Sequence, residues 1–193
     1  MVYKIFGSAC IAFLASHLRP GTKSTTTVRY AIMSSSSPLP RVLDIDGTTE
    51  MSSSDLSARL SNKRVALYFA AGWCPMCTSF EPSLLQFRQA AVDSGSPLEL
   101  VYVSSDRSPN DQAKRTSAMG MLSVVSTDAT ELKRLHKIWA GSETLKFGSG
   151  RRSGVPALVV LDKTGKETAF LAVESQGVKA LQSWPLDDHD GVW

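Results

Sequence analysis

Cysteine and histidine are scarce in this 193-residue sequence, which contains three of each. Two cysteines, Cys74 and Cys77, lie close together, and the third, Cys10, is far from them. A structural zinc site takes about four Cys or His ligands, and scattered histidines do not complete one. The same count excludes a framework of several disulfides. No glycine-rich phosphate loop is present either, so we expect no bound metal and no resident cofactor.

Long apolar segments and a strong charge of one sign are absent as well. No run approaches the roughly 20 apolar residues that a membrane-spanning helix needs, so we expect no permanent membrane anchor. The formal charge is +3, yet five of the 21 basic residues lie within residues 1–43, where no acidic residue occurs. The other 16 basic residues are balanced by 18 acidic ones. The body of the chain therefore gives no reason to expect nucleic-acid binding.

Residues 1–40 are typical of a targeting leader or a disordered extension. A short apolar run at residues 5–14 is followed by a stretch rich in Ser and Thr. Together they resemble a bipartite plastid leader, which is the interpretation we favour. Two alternatives stay open: a simple secretory or mitochondrial signal, and an upstream extension of a cytosolic or nuclear protein whose translation starts at Met33. We expect the folded domain over residues 41–193.

Apolar runs of strand-forming residues alternate with amphipathic segments in the body of the chain. Residues 65–70, 98–103 and 157–161 are the clearest runs, typical of strands buried on both faces of a sheet. The pattern of residues 128–139 predicts a helix with Lys133 on its outer face. A closing hairpin follows the last run. This order predicts an α/β fold with a central mixed β-sheet flanked by helices on both faces.

The two neighbouring cysteines stand directly after the first of these runs, at the start of a predicted helix. A helix N-terminus favours negative charge, so we expect the Cys74 sulfur to be held as a thiolate. Pro75 suits the first turn, because its missing N–H has no partner there. Cys74 would attack a partner disulfide and Cys77 would resolve the mixed disulfide. A structural disulfide and an inert pair of buried thiols are the alternatives.

Three segments carry a resemblance to a known family. They are Tyr-Phe-Ala-Ala-Gly-Trp-Cys-Pro-Met-Cys at residues 68–77, Val-Tyr-Val-Ser-Ser-Asp at residues 101–106 and Gly-Val-Pro-Ala-Leu-Val-Val-Leu-Asp at residues 154–162. In this order they resemble the tryparedoxin and nucleoredoxin branch of the thioredoxin superfamily. The resemblance covers roughly residues 64–173 and implies a thioredoxin fold.

The resemblance also implies roles for individual residues. Cys74 would be the nucleophile and Cys77 the resolving thiol. Pro156 would follow a cis peptide bond and face the dithiol, and the Val155 backbone would pair with an incoming peptide. The implied substrate-binding positions are Trp73, Pro75, Met76, Val155 and Pro156.

The sequence departs from the family pattern close to the dithiol. Ordinary thioredoxins carry a buried Asp where this chain has Tyr68, so the acceptor of the Cys77 proton is left open between a water and a nearby carboxylate. Asp106 is one candidate, and its alternative role is a turn residue that caps the next helix. Tryparedoxins have proline in place of Met76, which leaves the preferred direction of electron flow open.

A second departure is a Gly- and Ser-rich insertion at residues 141–153, ahead of the predicted cis-proline. Arg151 and Arg152 would lie beside the site. We hypothesise that they attract an acidic partner, the alternative being a solvated loop.

The leading functional expectation is an enzyme, a protein-disulfide reductase whose partners are disulfide-containing proteins. Its electrons would come from an external thiol or a reductase, because the chain has no dinucleotide-binding loop. An oxidase or isomerase of a secretory compartment is an alternative. The other is a redox-controlled binding module of the nucleoredoxin type, in which the dithiol only switches affinity for a partner.

Overall fold

The computed structural model describes residues 38–187 and 191–193. Most of the predicted leader at residues 1–40 therefore lies outside the described residues, since the description begins at residue 38. His189 lies outside them as well. Within the described ranges, no helix is both long enough and apolar enough to cross a bilayer.

Within the described ranges, six strands form one mixed sheet in the order β1-β4-β3-β2-β5-β6. The strands are β1 Val42–Leu43, β2 Arg64–Ala70, β3 Leu98–Ser104, β4 Leu122–Val124, β5 Ala157–Leu161 and β6 Glu167–Leu171. β2, β3 and β4 run parallel, and antiparallel pairs join β1 to β4, β2 to β5 and β5 to β6. All residues of β2 and β5 are buried, as their continuous apolar sequences predict for central strands.

In the described residues, six α-helices and two short 3₁₀ segments lie between the strands or after the last one. The helices are α1 Ser53–Leu60, α2 Pro75–Asp93, α3 Pro109–Met119, α4 Ser126–His136, α5 Thr144–Phe147 and α6 Val173–Gln176. The 3₁₀ segments are Gly141–Glu143 and Gly177–Ser183. Four residues separate the end of β2 from the start of helix α2, which places the dithiol at the carboxyl edge of a central strand.

Pro38 lies against the turn between β5 and β6. Asp162 accepts hydrogen bonds from the Thr164 and Lys166 amides, and Gly165 has a φ of 81°. A side chain at Gly165 would collide with the Pro38 carbonyl, so glycine allows residue 38 to lie against the hairpin.

The prediction that Lys133 lies on the outer face of helix α4 was wrong. This side chain is buried, and its Nζ lies 2.6 Å from Oε1 of Glu143. The pattern treated Lys133 as a solvated charge because its partner comes from the insertion, which sequence periodicity does not place. Helix α4 ends at His136, earlier than predicted, and Lys137 follows with a φ of 56°.

Candidate active site

The two cysteines occupy the first turn of helix α2 as free thiols. Cys74 is the N-cap residue, and the backbone N–H of Cys77 donates to its sulfur at 3.3 Å. This contact gives an acceptor to one of the amide donors that a helix N-terminus leaves unpaired. Cys74 keeps 6% of its surface exposed and Cys77 keeps none. Of the two cysteines, Cys74 is the one that keeps any exposed surface.

The neighbouring side chains form an exposed rim around Cys74. Trp73 is 39% exposed and Met76 48%, and Pro75 is exposed between them. The Trp73 indole N–H donates to the Ser105 carbonyl at 2.9 Å, which fixes the ring against the end of β3. The three predicted substrate-contacting residues of the dithiol segment therefore all lie at the surface.

The loop before β5 faces the dithiol. The Val155–Pro156 peptide bond is cis, as the family resemblance implied. The Cys74 sulfur lies 3.7 Å from the Val155 carbonyl oxygen. Val155 and Pro156 are both buried. The group that contacts the sulfur is the backbone carbonyl of Val155. Glu174 holds this loop by accepting the Gly154 amide at 2.6 Å, and a side chain at Gly154 would collide with that carboxylate.

A buried carboxylate lies beneath the dithiol. Glu81 forms an ion pair with Arg115 and accepts a hydrogen bond from the Tyr68 hydroxyl at 3.4 Å. Burial raises the pKa of Glu81, although both partners favour its charged form. Burial also raises the pKa of the Cys77 thiol, and the Cys74 sulfur and the Glu81 charge add to that effect. Tyr68, which stands where the family resemblance places an Asp in ordinary thioredoxins, thus donates a hydrogen bond to a carboxylate on helix α2.

Asp106 connects β3 to the segment that precedes the dithiol. Its carboxylate accepts hydrogen bonds from the Gly72 amide at 2.6 Å, the Tyr102 hydroxyl at 2.8 Å and the Ser104 hydroxyl at 2.9 Å. Helix α3 is capped by Ser108, so the predicted alternative of a capping role for Asp106 was wrong. Its three donors make Asp106 a brace for the dithiol segment.

Comparison with known proteins places this geometry in a family. A family model described as thioredoxin-like matches residues 62–167, more than half of the chain. The chain belongs to the thioredoxin-like family. Among relatives, nucleoredoxin of Bos taurus is 31% identical over 110 residues, and probable nucleoredoxin 1 of Arabidopsis thaliana is 29% identical over 133 residues. These matches cover 57% and 69% of this chain, but only 23% and 21% of the relatives.

Solved tryparedoxins share the fold of this thioredoxin-like chain. Tryparedoxin II from C. fasciculata is 24% identical with a TM-score of 0.53, covering 76% of this chain and 87% of that one. Tryparedoxin I from Leishmania major is 23% identical with a TM-score of 0.51, covering 77% and 92%. The predicted α/β thioredoxin fold and the tryparedoxin and nucleoredoxin resemblance are both confirmed.

The hypothesis that Arg151 and Arg152 attract an acidic partner is not supported by their surroundings. Arg151 pairs with Glu174 at 3.4 Å, and Arg152 pairs with Glu167 at 2.7 Å. Arg152 also stacks over the Phe170 ring. Both charges are therefore committed within the chain, because carboxylates from later elements meet this loop. The insertion itself folds into the first 3₁₀ segment and helix α5.

Sequence reasoning missed two parts of this thioredoxin-like site. One is the pair of Glu81 and Arg115, of which only Glu81 leaves a signal: it stands four residues after Cys77, on the same face of the helix. The other is Glu143 of the insertion, which accepts the Ser105 hydroxyl at 2.7 Å while the Ser105 carbonyl holds Trp73. The described residues contain no group of three or more His, Cys, Asp or Glu side chains that could hold a metal ion.

Proposed function

We propose that the protein is a thiol–disulfide oxidoreductase that reduces disulfides of partner proteins. The observation that carries the proposal is the position of the Cys74 sulfur. It caps helix α2, accepts the Cys77 amide and faces the Val155 carbonyl beside the cis-proline. A helix N-terminus stabilises a thiolate, and we expect the Val155 backbone next to it to pair with an extended peptide.

The reaction runs through a mixed disulfide. The Cys74 thiolate attacks one sulfur of the partner's disulfide, a Cys74–partner S–S bond forms, and the partner's other sulfur leaves as a thiolate. Cys77 then loses its proton and attacks the Cys74 sulfur. This releases the second partner thiol and leaves a disulfide between Cys74 and Cys77. The partner gains two electrons, and an external thiol or reductase returns the dithiol to its reduced state.

Glu81 receives the proton of Cys77 in this scheme. A carboxylate with a raised pKa accepts protons near neutral pH better than an ordinary one. Its charge already acts on the Cys77 thiol, and Arg115 holds it in place. Asp106, by contrast, has three donors of its own.

Reduction of insulin by the full-length protein, with dithiothreitol or glutathione as donor, tests the proposal. We expect activity in the wild type and none above background in Cys74→Ser, whose hydroxyl preserves the helix cap. Cys77→Ser should accumulate the mixed disulfide, detectable by mass spectrometry. Cys10→Ser is the matched control and should behave as the wild type. An inactive wild type with alkylatable Cys74 would instead favour the redox-controlled binding module.

A further inference from the structure

A cleft of about 450 Å³ opens beside Trp73, on the side of helix α3. Gly72 and Trp73 form one wall, and Arg107, Lys114 and Arg115 contribute positive charge to the other. Gly72 stands two residues before Cys74, so the cleft begins within about 8 Å of that residue's Cα, at 3.8 Å per step. It adjoins the nucleophile and shares Gly72, Trp73, Asp106 and Arg115 with the site described above, whereas Arg107 and Lys114 have no role there.

The acidic side chains of this cleft are engaged by neighbours. Asp106 accepts its three hydrogen bonds, including the Gly72 amide. Asp111 accepts the hydroxyl of Ser108 at 2.7 Å in the first turn of helix α3. Arg115 is paired with Glu81. These hydrogen bonds leave both Asp carboxylates charged, but Asp106 is half-buried, so the exposed charges of the lining are two positive ones, Arg107 and Lys114, and one negative one, Asp111.

Arg107 and Lys114 are exposed and positioned for a ligand. Neither forms an ion pair with any residue in the ranges 38–187 and 191–193. The Arg107 guanidinium lies 5.8 Å from the centre of the Trp73 ring, a cation–π contact that orients it at the active-site rim. Stacking leaves its N–H fork free to bind a carboxylate in two places at once.

We propose that this cleft recognises acidic side chains that flank the target disulfide of a protein substrate. The inference rests on the proposed function and specifies its substrate. The surface favours a polypeptide, because the exposed Trp73 and Met76 rim is contiguous in sequence with the nucleophile and adds apolar contact to the two cations. Arg151 and Arg152 of the insertion are already paired with Glu174 and Glu167. Complementary charge is thus offered on the α3 side of the dithiol.

Two disulfide-bridged peptides that differ only in flanking Glu or Gln residues test this inference. The second-order rate constant for their reduction by the full-length reduced protein is measured at low and high salt. We expect the Glu peptide to react roughly three- to tenfold faster at low salt, because two exposed charge pairs contribute modestly, and the preference to shrink at high salt. The combined variant Arg107→Gln, Lys114→Gln should reduce the ratio to less than about twofold.

The matched control is Lys163→Gln, Lys179→Gln, which removes two exposed charges outside the cleft and should keep the wild-type ratio. Equal rates for both peptides in the wild type would overturn the inference while leaving the proposed function intact. An equal loss of preference in the control variant would also overturn it, because net charge would then be the cause. Reduction of neither peptide would overturn the proposed function and this inference with it.

Discussion

Glu81 and Cys77 are four residues apart on helix α2 and project from the same face. Both are buried, and the Glu81 charge adds to the effect of burial that raises the pKa of the Cys77 thiol. A side chain that merely repels negative charge would hinder the Cys77 thiolate, whereas a proton acceptor would speed its formation. The two roles predict opposite results for removal of the Glu81 charge.

We expect Glu81→Gln to slow the resolving step by roughly a hundredfold at neutral pH, because general base catalysis typically contributes that much. Ellman's reagent separates the steps: the first thionitrobenzoate released reports attack by Cys74, and the second reports attack by Cys77. The second release should slow in the variant.

Glu131→Gln on the exposed face of helix α4 is the matched control and should leave both releases unchanged. A faster second release in Glu81→Gln would contradict the assignment and mark Glu81 as an electrostatic brake on Cys77. Stopped-flow absorbance gives both rates from one mixture.

Individual residues were predictable from the sequence where local rules apply. The position of Cys74 at the start of helix α2 and of Pro75 in its first turn follow from helix-terminus chemistry. The cis bond before Pro156 came only from the family resemblance, because most such bonds are trans. Arg115 was not predictable, because it meets Glu81 across 34 residues and no local pattern specifies that distance.

At the scale of elements, helix α4 ends in a strained way. Lys137 follows the helix in the left-handed region, where an L side chain costs roughly 1–2 kcal/mol. Its carbonyl accepts the Arg152 amide at 2.6 Å, so the end of the insertion is held by the backbone of this residue. Glycine is the usual residue at such a position.

Lys137→Gly should therefore raise the free energy of unfolding by about 0.5–1 kcal/mol, the relief of strain less the entropy that glycine adds to the unfolded chain. Urea denaturation followed by circular dichroism measures it. Lys137→Ala shares the lost side chain but keeps the penalty, so it should show no gain. An equal gain in both variants would show that the lysine side chain, and not its backbone, is the source.

The elements themselves differ in how well their sequences predict them. The three apolar runs became β2, β3 and β5 with ends shifted by at most one residue. Helix α4 was misjudged because residues 138 and 139 are apolar and buried yet lie beyond its end. The insertion was predicted as Gly- and Ser-rich loop, while its short helices depend on the buried contact of Glu143 with Lys133. Such contacts are set by tertiary packing.

At the scale of the whole molecule, His136 connects helix α4 to the sheet. Its Nδ1 lies 3.0 Å from Glu167 of β6, its ring meets Phe69 of β2 edge-on, and Arg152 pairs with the same Glu167. Burial lowers the pKa of His136, and the nearby Arg152 charge adds to this, although Glu167 opposes both. The folded protein thus prefers the neutral imidazole.

Stability should consequently fall as the pH is lowered below about 6.5, the ordinary pKa of histidine. The unfolded chain takes up the proton first, so stability is lost until the pH reaches the lower pKa of the folded state. Free energies of unfolding measured between about pH 7 and pH 5 should decline less steeply in His136→Gln than in the wild type. Parallel curves for the two proteins would rule out His136 as the source.

The contact between Cys74 and Val155 joins residues that are 81 positions apart. Local structure such as the first turn of helix α2 forms quickly, whereas pairing of β5 with β2 requires closure of a long loop. In a newly synthesised chain, the helix turn that carries the dithiol thus forms before the Val155 loop packs against it. We expect the thiols to be most vulnerable to unwanted oxidation in that interval. Its duration would then determine what fraction of the chains folds with both thiols reduced.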